Sequence, residues 1–349
     1  MNKQLLTLAE SKALRGIAIL GIILHNYCHF LGFAVKENEY TFDGGKPMQL
    51  LDRLCSLNHD LFVHILSFFG HYGVPLFLFI SGFGLVMKYE NKERPSRIGF
   101  FSFTWYHYAK LLRLMFLGYI AFAVVSYLHP HGYHGYTPGR VVAQLLMYIN
   151  LLPDPDHIIK PGPYWYFSLM MQLYILYRLL FYRAPSRYVA VMIAVCWLLE
   201  VCCEQDFDSM NRVRYNFFGA VLPFGMGILY ARHGHDVSRA TWLGVLILSV
   251  SMVFFLGFSF QGWLWCPAFV VMGAVAAVRL LPSAALRPVE WVGGISAAMF
   301  VVHPITREII IPLSFRGHVY TGIAIYVVVT VLLSWAFRHA LRLIPSPKL

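Results

Sequence analysis

Apolar residues run through this chain in long blocks broken by short polar stretches. They show neither the alternation of half-buried strands nor the narrow apolar stripe of a surface helix. Ten such blocks, at about 13–33, 61–87, 107–128, 164–183, 188–204, 216–232, 241–258, 263–281, 292–312 and 318–338, predict ten membrane-spanning helices. The expected fold is all-α, a polytopic integral membrane protein forming one transmembrane domain over residues 1–349. Segment 139–152 is apolar but too short to cross, and reads as a re-entrant or interfacial helix.

The first block differs from the others. It opens on Lys12 and Arg15, runs apolar for nine residues, and reaches His25, with Asn26, Tyr27, Cys28 and His29 following. Along a helix, His25 lies about 15 Å beyond Arg15, near mid-membrane. Ionisable groups at that depth are costly and face a bundle interior or a wet cavity, so each is a functional candidate.

Composition agrees with the pattern. The 349 residues are 58% hydrophobic and 13% charged, with a mean hydropathy of +0.59, against about a quarter charged for an ordinary soluble domain. The net charge of +11 does not indicate nucleic acid, because the cations gather at helix ends rather than along one polar face. Six cysteines (28, 55, 196, 202, 203 and 266) lack paired metal spacing and read as core residues, with Cys202–Cys203 the one pair to check for oxidation. The first apolar run leads into polar intramembrane residues rather than a cleavage site, so no cleaved signal is expected, nor a soluble domain before or after the membrane part.

Charge sets the orientation. With both termini in the cytoplasm, 19 Lys/Arg fall inside and 9 outside, which is the bias that membrane insertion follows. The outer loops 34–60 and 129–163 are then the longest, rich in Gly, Pro, His, Tyr and Asp. His129, His131 and His134 lie among turn residues with no carboxylate or cysteine beside them, and read as a plain loop; no metal is expected. No internal repeat is evident, which counts against a transporter built from inverted halves.

Four stretches together resemble the membrane-bound acyltransferase-3 family. ALRGIAILGIILHNY resembles its first-helix signature, and GHYGVPLFLFISGFGL (70–85) its second-helix run ending in Ser-Gly-Phe. PYWYFSLMMQLYILY (163–177) is similar to its aromatic-Trp helix, and GGISAAMFVVHPI (293–305) to its late Gly-x-x-Ser…His-Pro helix. The resemblance implies a multi-pass enzyme of the inner (cytoplasmic) membrane, moving an acyl group, commonly acetyl from acetyl-CoA, onto a sugar hydroxyl. Acyl-CoA would be a co-substrate, with no bound cofactor. One departure stands out: the family places ten residues between the first-helix Arg and the His, and this chain has nine. The two side chains then sit about 80° apart on a regular helix instead of about 20°. A tightened 3₁₀ stretch or the reach of arginine would repair this. The departure weighs on Arg15 more than on His25.

Acyl transfer from a thioester to a hydroxyl needs a base near the acceptor, and neutral imidazole suits it; His25 is the candidate, against the plainer reading of a buried interhelical histidine. Arg15 is its companion from the family's pattern. His29, His59, Asp60 and His64 belong at the outer mouth, where Asp60 would orient an imidazole or, more simply, cap a helix. Lys110 and Arg113, three residues apart, match the placement of the family's Arg-x-x-Arg with Lys replacing the first Arg. They either clamp CoA phosphates or merely anchor the inner helix end. Trp165 and Tyr166 are site residues or an interfacial belt. Ser81 has no adjoining base, so Ser-Gly-Phe reads as close helix packing. His303 lines the cavity or satisfies a kink at Pro304.

The reading is a membrane O-acyltransferase whose partners are acyl-CoA, a carbohydrate or related envelope acceptor and the lipid bilayer, with no nucleic acid. The alternative is a transporter or flippase holding a polar precursor with the same histidines. A membrane scaffold would explain the helices but not the buried His25. Single-cysteine labelling with a membrane-impermeant reagent checks the orientation. Loops 34–60 and 129–163 should label in intact cells and loop 88–106 should not; the reverse pattern overturns it.

Overall fold

A computed structural model describes residues 5–90, 98–129, 132–133, 135–205 and 208–349. Among these residues the chain is all-α, with no strand and fourteen helices of eight residues or more. In chain order they are α1 (Leu8–Cys28), α2 (Gly45–Ser56), α3 (Leu61–Phe69), α4 (Gly73–Tyr89), α5 (Phe100–Leu128), α6 (Pro138–Leu145) and α7 (Trp165–Leu176). Then follow α8 (Ser186–Cys202), α9 (Asp208–Tyr215), α10 (Phe217–His233), α11 (Arg239–Leu256), α12 (Cys266–Leu280), α13 (Ser283–Phe315) and α14 (Val319–Arg342).

Each of the ten apolar blocks falls on a helix of this set. Among the described residues five helices are long and apolar enough, by length and composition, to cross a membrane: Leu61–Tyr89 (α3 and α4 joined through a 3₁₀ turn), α5, α11, α13 and α14. They make this a multi-pass membrane protein. The first block is shorter than its apolar run suggests, since α1 ends at Cys28 with His29 as its cap. The short segment 139–152 is α6 followed by a single 3₁₀ turn at Ile149–Leu151. His131 and His134, and residues 91–97 of loop 88–106, lie outside the described residues. All six cysteines are free, Cys202 and Cys203 included.

α1 starts cleanly because Thr7 and Glu10 form a reciprocal capping box. It is an unbroken α-helix, with no 3₁₀ stretch between Arg15 and His25. The two residues therefore stay about 80° apart around the axis. α1 packs along α13 at a crossing where Gly16 and Gly293 meet: a Cβ on either would overlap the other helix's backbone. Gly82 and Gly227 do the same for α4 and α10, which gives Ser-Gly-Phe the packing role read from the sequence. Small residues at crossings let backbones approach closely enough for dispersion to hold helices together in hydrocarbon. α11 lies on the periphery, with only 6% of its apolar window buried.

Candidate functional site

The site begins at a break in the α3–α4 rod. At Gly70–Tyr72 the helix tightens to 3₁₀, and Gly70 lies so close to α1 that a Cβ there would strike the Gly21 carbonyl and His25. Beside this break the Ser67 carbonyl faces His25 Nδ1 at 2.7 Å, and the Phe68 carbonyl faces His71 Nδ1 at 2.8 Å. A carbonyl oxygen only accepts, so each Nδ1 carries the proton and each Nε2 presents a lone pair.

His25 is buried, and its Nε2 lies 3.8 Å from Glu37 and 3.9 Å from Glu39. His29, one turn beyond His25, donates from Nδ1 to the other Glu37 oxygen at 2.8 Å. Lys36 Nζ donates to the His29 carbonyl, tying the start of the loop back to α1. Glu37 and Glu39 titrate differently. Burial alone would raise the Glu37 carboxyl, but the His29 hydrogen bond and the neighbouring His25 hold it well below the usual carboxylate range. Burial, and then repulsion from Glu37, push the Glu39 carboxyl up to about 8. Two nearby acids with opposed protonation behaviour thus stand beside an imidazole, an arrangement chemically able to take up and release protons.

These groups line a cavity of about 570 Å³, within the range of small-molecule sites. Trp165 and Tyr166 of α7 form one wall. Trp165 is held through its backbone carbonyl by Asn150 Nδ2 at 3.0 Å, and its ring meets Tyr40, which stacks on Tyr215 at 3.9 Å. Arg307 of α13 closes another side, buried over the Phe30 ring and reaching Asn26 Oδ1 at 3.4 Å. The cavity thus offers a base, carboxylates and a fixed cation around one space.

Of the residues named from the sequence, His25, His29, Trp165 and Tyr166 line this cavity. His303 is fully buried one turn from Arg307, with Nδ1 at 3.2 Å from the Met299 carbonyl and Nε2 lacking a hydrogen-bond partner. It does not line the cavity itself; Phe300 and Arg307 on the same helix do. Arg15 is half-buried on α1, about 15 Å along the axis from His25. Lys110 is exposed on α5. The Arg113 guanidinium donates to the carbonyls of Leu341 and Ile344 at the end of the last helix, at 2.5 and 3.0 Å. Asp60 occupies the N-cap position of α3 but its side chain makes no capping bond, and His59 Nδ1 lies 3.2 Å from it.

Glu37, Glu39, His71 and Arg307 were not singled out by sequence reasoning. The two glutamates carried a faint signal, being acids two apart in a chain with only 17 Asp and Glu. His25, His29 and Glu37 also place ligand atoms within 4.8 Å of one another, a two-His, one-carboxylate donor set of the kind that holds zinc. A tetrahedral ion with bonds of about 2.0–2.1 Å would need these atoms drawn roughly 1 Å closer.

The Glu39 shift makes stability depend on pH. The folded chain binds a proton at Glu39 between the ordinary carboxylate range and about pH 8. The stability contributed by this carboxyl should therefore be lost as pH rises through that window. In thermal unfolding from pH 5 to 9, wild type should lose stability relative to Glu39→Gln as pH rises; parallel profiles would refute the assignment.

Residues 8–339 match the family described as the acyltransferase domain. Neither a curated protein nor a solved structure matches the chain. With the match covering nearly the whole chain, over the helices that build the His25 cavity, this protein belongs to the acyltransferase-3 family and is an acyltransferase.

Proposed function

We propose that this protein transfers an acyl group, in the simplest case acetyl, from cytoplasmic acyl-CoA to a hydroxyl of a cell-surface carbohydrate or related envelope precursor. Its place is the inner (cytoplasmic) membrane, crossed ten times with both termini inside. The observation that carries this reading is the His25 tautomer: Nδ1 is fixed on the Ser67 carbonyl and Nε2 faces the cavity beside two glutamates. In the proposed step Nε2 takes the acceptor's hydroxyl proton as the oxygen attacks the thioester carbonyl. Glu37, 3.8 Å away, favours the imidazolium that forms, and Arg307 lies where it can balance the developing oxyanion. The carbon–sulfur bond then breaks, and the imidazolium returns its proton to the CoA thiolate.

His25→Ala should lose most acyl transfer, since a positioned base contributes about 10²–10⁴-fold. His25→Gln keeps hydrogen bonding without basicity. It should be comparably inactive while inserting and melting like the wild type. Retention of more than about a tenth of wild-type turnover would remove His25 as the base and favour a transporter.

On the donor side, Lys110 and Arg113 are proposed to hold CoA phosphates. Arg113 would have to share its guanidinium with the last-helix carbonyls it now contacts. Removing one charge-assisted phosphate bond costs about 1.5–3 kcal/mol, so Arg113→Ala should raise the apparent KM for acyl-CoA roughly ten- to a hundredfold. An unchanged KM with a lower melting temperature would leave Arg113 as an anchor for α14.

A further inference from the structure

On the far side of His71 from the His25 cavity lies an apolar hollow of about 510 Å³. Leu50 and Leu54 of α2, Phe69 of α3, and Val253 and Phe254 of α11 form its walls. A second hollow of about 390 Å³ shares Leu54, Phe69, Val253 and Phe254 with it and runs on to Leu246. Together they make one groove along α11 from Gly257 to Leu246. Eleven residues of helix rise span about 16 Å, close to half of a hydrocarbon core of about 30 Å, the depth of one leaflet.

Three features say what the groove takes. Its side is open to hydrocarbon, because Phe254 and Phe255 are exposed on a helix that buries almost nothing. Its head meets the polar cavity, since His71 lines both spaces. At that junction His71 Nε2 is buried with no hydrogen-bond partner, an unused acceptor that is costly unless a donor reaches it. Among the described residues no Lys or Arg lines either hollow, so the phosphate of a bulk phospholipid finds no cation among them. The free Nε2 acceptor of His71 suits an uncharged hydroxyl instead.

We propose that this groove holds the hydrocarbon chain of the acceptor, which is therefore a lipid with a hydroxylated, sugar-like headgroup. This rests on the acyltransferase mechanism above. The chain lies along α11 and the headgroup turns past His71 into the His25 cavity, with a headgroup hydroxyl donating to His71 Nε2. The chain is not the donor's, because that mechanism brings CoA to Lys110 and Arg113. Both lie on α5 away from its Phe122–Ser126 end, which is the part of α5 that lines the cavity.

The test uses the full chain in nanodiscs with hexadecyl glucoside carrying a diazirine near its chain terminus, irradiated and mapped by peptide mass spectrometry. Adducts should concentrate on α2 and on 246–257 of α11. Leu54→Trp fills the groove and should weaken capture roughly five- to a hundredfold. Unlabelled hexadecyl glucoside should compete up to about tenfold better than hexadecylphosphocholine, and His71→Ala should erase that preference while chain adducts persist. Adducts spread evenly over the lipid-facing sides of α5, α11 and α14, or equal competition by the phosphocholine, would overturn the proposal. Because the readout is capture rather than turnover, focused labelling of an inactive protein would refute the transfer mechanism and leave the groove standing.

Discussion

The site depends on two backbone carbonyls that accept imidazole protons at the Gly70–Tyr72 break. Ser67 fixes His25 and Phe68 fixes His71, so both rings hold one tautomer and turn the basic nitrogen away from the helix that binds them. In a hydrocarbon surrounding, a ring nitrogen without a partner is expensive, and a rigid carbonyl is a partner that cannot donate back. The approach of Gly70 to Gly21 and His25 makes the first of these bonds possible. A side chain at residue 70 would push the break off α1 and release the ring. Helix packing and proton chemistry are thus one constraint here.

Around that constraint the molecule is divided. Glu37, Glu39, His29 and Arg307 gather at one end of α1, with the loop after α1 folded back over the histidines through Lys36 and Glu37. Arg15 lies further down α1, and the Arg113 guanidinium reaches the C-terminal end of α14. The transfer proposed above would use such a division, with the reaction where the two halves meet. His71 adds a third direction, toward hydrocarbon, because it lines both the polar cavity and the groove along α11.

The helices, their approximate positions and a polar group at His25 within an apolar run were legible in the sequence. Apolar block length and the bilayer's thickness determine where helices form, and a histidine placed mid-block stands out against leucine and isoleucine. The close packing at Gly82 was legible for a related reason, since a small residue within an apolar run marks a crossing. Glu37 and Glu39 were not: they sit in a loop whose composition resembles any outer loop, and a loop's path is not written in a periodicity. Arg307 counted only as one outer cation, and His71 only as part of a motif.

The sequence by itself therefore determined an all-α membrane protein and its family, because these follow from local hydrophobicity and short motifs read along the chain. Tertiary structure alone decided which lone pair His25 offers, which acids stand beside it, that Arg113 already holds the last helix, and that an apolar groove opens next to His71. Each of these is a contact between residues far apart in sequence. Hydrogen-bond direction, burial and cavity shape are set by how helices cross, and no single helix carries that information.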